Sequence, residues 1–177
     1  MKDNIPTVPF AKSYWVVPGR FLAGAYPTLL YFEEQNRTRI GNLLYAGIQV
    51  FIDLTTPGQL EPYESILYEQ AGWHDVETRY HRFAIKNYDI PSEQNMVVIL
   101  NIIDAALQDG QGVYVHCWEG IGRTGTVVGC YLVRHGMTGP AALEEIARLR
   151  KGMPNAWLQS PESDSQFKMI LSWENGK

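Results

Sequence analysis

Cysteine is scarce in this sequence: only Cys117 and Cys130 occur among its 177 residues. A chain of this length can bury a sufficient hydrophobic core without disulfide staples, so a disulfide-dense secreted scaffold is not expected. The first residues, MKDNIPTVPFAK, carry charge and proline where a secretory signal needs an apolar run. We therefore expect a reducing, cytoplasmic setting, in which a cysteine remains a thiol.

Clustered positive charge and long apolar runs are also missing. The 15 Lys and Arg residues and 19 Asp and Glu residues give a formal net charge of -4, and the basic residues form no block. Nucleic acids and anionic membranes attract concentrated Lys and Arg, so neither is expected as a partner. No stretch approaches the ~20 apolar residues of a membrane span. A composition of 45% hydrophobic and 19% charged residues is that of an ordinary globular protein.

Short apolar runs alternate with segments of helical periodicity, and no internal repeat or linker divides the chain. The apolar runs predict strands over residues 15–17, 20–24, 48–54, 78–85 and 112–116. Start and stop signals predict helices over residues 31–46, 64–71, 92–107, 123–135 and 141–150, and Ser160-Pro161-Glu162 predicts the start of a last helix. This alternation predicts a single α/β domain over residues 1–177, with a central, mostly parallel sheet flanked by helices.

The segment that follows the predicted strand 112–116 carries the chemistry. His116-Cys117 ends the strand, a glycine-rich turn follows, and a helix then begins. Successive backbone N–H groups in such a turn point inward and bind an anion, and the helix N-terminus adds its positive end. The same environment favours thiolate over thiol, so Cys117 is the predicted nucleophile. The predicted phosphate-binding residues are Trp118, Glu119, Gly120, Ile121, Gly122 and Arg123.

Three neighbours of this turn have predicted roles of their own. Arg123 offers a planar fork of donors that matches two phosphate oxygens at once, which lysine cannot do. Thr124 places a hydroxyl where it can donate to the thiolate and help it leave. His116 is expected to orient the loop through hydrogen bonds. No His, Asp and Cys cluster has the spacing of metal ligands, so neither a metal nor another cofactor is expected.

The loop 116–124 resembles the signature of the protein tyrosine phosphatase superfamily, His-Cys-x2-Gly-x-Gly-Arg-Thr-Gly. The matching residues are His116, Cys117, Gly120, Gly122, Arg123, Thr124 and Gly125. Pro18-Gly19-Arg20, Gly24 and Pro27 resemble the opening of the compact dual-specificity-type members. The resemblance implies a strand–phosphate loop–helix unit and hydrolysis of phosphomonoesters through a cysteinyl-phosphate intermediate.

The resemblance also implies a proton donor, an aspartate on a mobile loop before the signature. Residues 83–92 resemble that loop, but Asn87 stands at the position of the acid and Asp89 follows two residues later. In one interpretation Asp89 is the acid; in the other it only stabilises the start of the next helix and turnover is slow. Asp53 is a third candidate, for which capping of its loop is the favoured role.

Residues 160–166 resemble the element that helps to place the hydrolytic water in larger tyrosine phosphatases. Gln166 matches the second glutamine of that element, and Glu162 replaces the first. The favoured interpretation is that Glu162 complements a helix dipole and that Gln166 lies at the surface. Gln166 nevertheless remains a candidate supporting residue.

The variable positions of the loop bear on the substrate. Glu119 would repel a second phosphate nearby, so a phosphorylated protein or a small phosphomonoester is expected, rather than a densely phosphorylated ring. Trp118 packs either on an aryl group of the substrate or on the domain itself. A phosphate-binding module without turnover is the alternative function, because Asn87 replaces the acid. Cys130 is expected to be a packed core thiol.

Overall fold

Within residues 6–177, five strands form one sheet, around which the helices pack. The computed structural model describes residues 6–177. Its strands are β1 (Ser13–Val17), β2 (Phe21–Gly24), β3 (Ile48–Asp53), β4 (Arg79–Arg82) and β5 (Gly112–His116). The spatial order is β1-β2-β5-β3-β4, and only β1 and β2 pair in antiparallel fashion. The predicted α/β fold with a mostly parallel sheet is confirmed.

In the part of the chain that the structure describes, six α-helices cover the two faces of this sheet. They are α1 (Glu33–Tyr45), α2 (Glu64–His74), α3 (Glu93–Gln108), α4 (Gly122–Arg134), α5 (Gly139–Leu149) and α6 (Asp164–Ser172), with a short 3-10 helix at Arg150–Gly152. Their starts follow local capping chemistry: the Ser92 hydroxyl accepts the N–H of Asn95, and the Thr138 hydroxyl accepts that of Ala141. In the described part of the chain, no helix combines the length and the apolarity needed to cross a bilayer.

Two elements differ from the sequence-based predictions. β4 ends at Arg82 rather than Ile85, because beyond it the chain makes only the isolated bonds from Phe83 N to Asp53 O and from Ile85 N to Leu54 O. The predicted helix start at Ser160-Pro161-Glu162 is wrong. The helix begins at Asp164 with Ser163 as its cap, because the Ser160 hydroxyl is engaged elsewhere, donating to Ile121 O at 2.7 Å.

The core lies on both faces of the sheet and fixes the ends of β3 and β5 side by side. Val50, Ile52, Val113 and Val115 face α3 and α4, while Ile48, Phe51 and Tyr114 face α1 and α2. Both strands are therefore almost fully buried. Their last residues, Asp53 and His116, are register partners. The loop that follows His116 thus starts from one of the most firmly held points of the fold.

Candidate active site

The turn between β5 and α4 lies against β2, and this contact fixes its path. Gly120 has a φ of +72°, and a Cβ there would lie 2.4 Å from the carbonyl carbon of Gly24. Only glycine fits this position, because the conformation and the close approach both exclude a side chain. The N–H of Tyr26 also donates to Trp118 O at 2.9 Å. Cys117 sits at the base of the turn and is only 3% exposed.

A small cleft of about 170 Å³ opens above Cys117. We call it the phosphate cleft; it is lined by Asn87, Tyr88, Cys117, Trp118, Glu119, Ile121, Arg123 and Glu162. The nucleophile predicted from the sequence and the predicted arginine therefore share one cleft. Among residues 6–177, no group of three or more His, Cys, Asp or Glu side chains is arranged to hold a metal ion.

Arg123 is a buried cation whose donors are only partly used. Its Nη1 donates to Ile85 O at 2.9 Å, to Gln59 Oε1 at 3.0 Å and to Leu54 O at 3.3 Å. Its buried Nε has no partner among the described residues, nor does any carboxylate there form an ion pair with it. An unpaired buried charge with an unsatisfied donor is costly unless a ligand completes it. An anion bound above Cys117 would supply both the charge and the acceptor.

Thr124 is fully buried on the first turn of α4. Its hydroxyl donates to Gly24 O at 3.4 Å, and no bond to the Cys117 sulfur is formed within the described residues. The structure therefore brings Thr124 to the loop but directs its hydroxyl toward β2.

His116 holds the loop from below. Its fully buried ring is hydrogen-bonded through Nε2 to the Tyr63 hydroxyl at 2.7 Å, and its carbonyl accepts the N–H of Leu54. Burial lowers the pKa of His116, although the nearby carboxylate of Asp53 opposes the effect. The ring lies between buried partners beneath the loop, and its role in orienting the loop stays a prediction.

Both carboxylate oxygens of Asp53 accept hydrogen bonds from neighbouring residues. Oδ1 accepts the N–H and the hydroxyl of Thr55, and Oδ2 accepts the Tyr80 hydroxyl and the guanidinium of Arg82. Burial would raise the pKa of Asp53, but His116 and these hydrogen bonds outweigh it and hold the pKa below its usual value. A fully buried carboxylate with these bonds fits the capping role that the sequence favours for Asp53.

The 83–92 loop brings Asn87 and Tyr88 into the phosphate cleft but not Asp89. The Asp89 carboxylate accepts the N–H of Ile90 at 2.9 Å and is exposed. Tyr88 adopts a φ of +62°, and its carbonyl accepts the Ser163 hydroxyl. In this conformation the loop rests on the start of α6.

Gln166 is fully buried. The sequence-based interpretation that it lies at the surface is therefore wrong. Its Oε1 accepts the backbone N–H groups of Glu162 and Ser163, and its Nε2 donates to Asp89 O at 3.1 Å. Gln166 therefore ties the 83–92 loop to the 160–163 segment and does not itself line the cleft.

Glu162 lines the phosphate cleft, whereas the sequence favoured a role for it at the start of a helix. It precedes the first turn of α6 and instead reaches the first turn of α4, where its carboxylate lies beside the backbone N–H of Gly122. Partial burial raises the pKa of Glu162, against the opposing effects of that N–H, Arg123 and Arg150. Its replacement of a glutamine in the water-placing element was the signal that pointed here.

Cys130 is buried in α4 and free, and burial raises its pKa. Cys130 packs in the core, and neither it nor Cys117 forms a disulfide in this structure.

Comparisons with known proteins agree with this geometry. A family model described as "Tc-R-P: Polymorphic toxin system, DSP-PTPase phosphatase" matches residues 34–137, more than half of the chain. The chain is 34% identical over 178 aligned residues to phosphatidylglycerophosphate phosphatase PTPMT2 of Arabidopsis thaliana, covering 80% of this chain and 75% of that protein. It is 28% identical to protein tyrosine phosphatase domain-containing protein 1 of Danio rerio, covering 74% of this chain and 19% of that protein.

Among solved structures, that of Tk-PTP in the active form shares the fold, with a TM-score of 0.70 at 20% identity. The alignment covers 92% of this chain and 96% of that chain. The chain spans a fifth or less of the length of the first curated relatives, for which the covered shares are 19%, 17% and 12%.

Proposed function

The chain belongs to the dual-specificity-type phosphatases of the protein tyrosine phosphatase superfamily, and we propose that it hydrolyses phosphomonoesters through a cysteinyl-phosphate intermediate. The observation that carries the proposal is the buried Arg123 above Cys117, with an unpartnered Nε among the described residues. A phosphate dianion would satisfy this donor and neutralise the charge.

In the proposed reaction the backbone N–H groups of residues 118–123 and the Arg123 fork bind the three non-bridging oxygens. The Cys117 thiolate attacks phosphorus in line, and the P–O bond to the leaving group breaks as the S–P bond forms. Water then cleaves the S–P bond and releases inorganic phosphate. Thr124 would support the departing thiolate after a turn of its hydroxyl away from Gly24. The reaction needs no metal or other cofactor.

Asp89 is the proposed proton donor to the leaving oxygen. Its carboxylate is exposed and bonded only to the adjacent N–H of Ile90 among the described residues, so a modest movement of the 83–92 loop would free it. Asn87 already borders the cleft, and an amide there can hold the substrate oxygen without supplying a proton.

Phosphorylated protein side chains, phosphotyrosine included, are the proposed substrates. Two aromatic side chains at the cleft, Tyr88 and Trp118, are 58% and 48% exposed, which suits them to contact an aryl phosphate. Glu119 forms an ion pair with Lys12 at 2.9 Å at the rim. Its negative charge disfavours substrates with a second phosphate close to the first.

A lipid phosphomonoester is the second candidate substrate. A groove of about 450 Å³ adjoins the phosphate cleft through Trp118 and Glu119, and the exposed Leu29 and Leu30 line it together with Arg39. Such a groove suits an apolar chain next to a phosphate. The name of the Arabidopsis relative, a phosphatidylglycerophosphate phosphatase, also favours this candidate.

The whole proposal applies to residues 1–177 acting as one phosphatase domain in a reducing, cytoplasmic setting, where the Cys117 thiol persists. Hydrolysis of p-nitrophenyl phosphate, with and without vanadate and a chelator, tests it. We expect activity that vanadate inhibits, that a chelator leaves unchanged and that Cys117→Ser abolishes. Binding of a phosphopeptide without release of phosphate would instead support the non-catalytic module.

Substrate class is tested on the same protein with phosphotyrosine, phosphoserine and phosphothreonine peptides and with phosphatidylglycerophosphate in mixed micelles. We expect the highest kcat/KM for phosphotyrosine peptides. A preference for the lipid by tenfold or more would select the second candidate.

A further inference from the structure

We infer that Asn155 is a positioning residue for the phosphate loop, residues 117–122, and that the buried cation Arg150 holds it in place. The Asn155 side chain fixes the Glu119 carbonyl on the outer side of the loop, which turns the N–H of Gly120 toward the phosphate cleft. The inference deepens the proposed function and rests on it, because it assumes that this loop binds the phosphate group of the substrate.

Three carbonyl groups of the loop accept hydrogen bonds from other segments of the chain. The pairs are Tyr26 N–H with Trp118 O at 2.9 Å, Asn155 Nδ2 with Glu119 O at 3.3 Å, and the Ser160 hydroxyl with Ile121 O at 2.7 Å. The three donors contact the loop from its outer side, because the cleft is lined by other residues. The three carbonyls are therefore held away from the cleft.

The geometry of the peptide bond converts outward carbonyls into inward donors. The peptide bonds of the loop are trans, and in a planar trans unit the C=O of one residue and the N–H of the next point in opposite directions. A Glu119 carbonyl held on the outer side therefore turns the N–H of Gly120 inward, and the Trp118 carbonyl does the same for the N–H of Glu119. Successive inward N–H groups form an anion-binding turn.

The peptide unit between Glu119 and Gly120 is the one that most needs an external restraint. Glycine restricts the rotation of its peptide unit less than any other residue, and Gly120 lies at a φ of +72°. If this unit rotated, the Glu119 carbonyl oxygen would face the bound phosphate, and two acceptors repel each other. The hydrogen bond from Asn155 Nδ2 to Glu119 O opposes that rotation.

Arg150 sets the orientation of the Asn155 side chain. Its Nη2 donates to Asn155 Oδ1 and to Asn155 O, both at 3.2 Å, and its Nη1 donates to Leu158 O at 2.8 Å. Because the amide oxygen of Asn155 is engaged by a cation, the amide nitrogen is the end that faces Glu119 O. The planar guanidinium reaches three oxygens of the 155–158 segment at once, which a lysine could not do.

These hydrogen bonds are shielded from water. Arg150 is 1% exposed and Asn155 is 9% exposed. A hydrogen bond in such surroundings is electrostatically stronger than one in water, and a group that loses its partner there remains unsatisfied. Asn155 lies outside the cleft and acts on the substrate only through Glu119 and Gly120, so its role is to preorganise the N–H groups that bind phosphate.

Two substitutions at Asn155 separate this role from a merely structural one. Asn155→Asp keeps the shape of the side chain and its bonds from Arg150, but a carboxylate cannot donate to Glu119 O. Asn155→Ala removes the same donor without adding a charge. We expect Asn155→Asp to be more stable than Asn155→Ala in urea denaturation, yet isothermal titration should show that both bind vanadate about tenfold more weakly than the wild type.

Steady-state kinetics with p-nitrophenyl phosphate give a second readout. KM should rise about tenfold in both variants while kcat changes by less than about threefold, because the N–H groups hold the phosphate oxygens before and during the reaction. Asn101→Ala is the matched control, since Asn101 is exposed on α3 and its Oδ1 also accepts an arginine, Arg134 Nη1 at 2.9 Å. This control should match the wild type in vanadate affinity and in KM.

The inference is overturned if Asn155→Asp binds vanadate as tightly as the wild type, because affinity would then follow the stability of the fold. It is equally overturned if KM is unchanged in both Asn155 variants. A failure of the proposed function would look different. In that case the wild type itself would not bind vanadate, or Cys117→Ser would keep its turnover.

Discussion

The Tyr63 hydroxyl lies 2.7 Å from Nε2 of His116, and both groups are fully buried directly behind the phosphate loop. The bond ties α2, which Tyr63 precedes, to the last residue of β5. It thereby links the stability of the core to the position of Cys117.

Tyr63→Phe should lower the free energy of unfolding by about 1–3 kcal/mol, because it leaves a buried imidazole nitrogen without its partner. Urea denaturation measures the change. Tyr45→Phe is the matched control, since Tyr45 is exposed, and it should lie within ±0.5 kcal/mol of the wild type. Equal stabilities of the two variants would show that the bond contributes nothing net.

Arg123→Lys should weaken vanadate binding by about 10²-fold, because a lysine cannot replace the planar fork and loses charge-assisted bonds of ~1.5–3 kcal/mol. Isothermal titration measures the dissociation constant. The wild type should also gain ~2.7 kcal/mol of stability at a vanadate concentration 100 times that constant. A variant that binds vanadate as tightly as the wild type would contradict the assignment of Arg123.

Two glycines of the loop should fail in different ways. Gly120→Ala forces a side chain into positive φ and against the backbone of Gly24, so it should abolish vanadate binding and turnover together. A Cβ at Gly122 would lie 2.4 Å from Glu162 Oε2 and 3.0 Å from Gln166 Oε1, so Gly122→Ala displaces side chains rather than backbone, and we expect it to weaken vanadate binding less than Gly120→Ala does. The two measurements on each variant are titration with vanadate and p-nitrophenyl phosphate kinetics. Loss of binding in both variants would contradict this distinction.

Asp89→Asn should affect substrates according to their leaving group. With p-nitrophenyl phosphate the rate should change little, whereas with alkyl phosphates it should fall by ~10²–10⁴-fold, because only the poorer leaving groups need a proton donor. A series of aryl and alkyl phosphates measures the slope of rate against leaving-group pKa. Identical slopes for the wild type and the variant would remove Asp89 from the reaction.

Asp53 should make the fold sensitive to acid. Its pKa is held below the usual value in the folded state, so its stabilising contribution is present above about pH 4 and is lost as the pH falls through the folded-state pKa. Urea denaturation between pH 7 and pH 2 measures this loss. Tyr80→Phe removes one of the bonds to Oδ2, so its acid transition should move to higher pH. An unmoved transition would show that this bond does not depress the pKa of Asp53.

The sequence predicted the loop around Cys117 and its place between a strand and a helix, because that geometry is local. Residues 112–124 contain the strand, the turn and the start of the helix. The rest of the sheet contributes the burial of that strand. The sequence did not predict Glu162 at the cleft, because two helix-start signals compete within residues 160–166. The contact of Ser160 with Ile121, 39 residues earlier, decides between them. The orientation of Asp89 could not be predicted from the sequence either. It depends on the hydrogen bonds that Ser163 and Gln166, more than 70 residues later, donate to the loop.

The 160–163 segment has a consequence for how the phosphate cleft can diversify. It reaches the cleft from beyond residues 34–137, the span that the family model covers. The residues that line the cleft therefore come from separate stretches of the chain. Chimaeras that exchange residues 153–177 among relatives would change the Glu162 side of the cleft while leaving the signature loop in place.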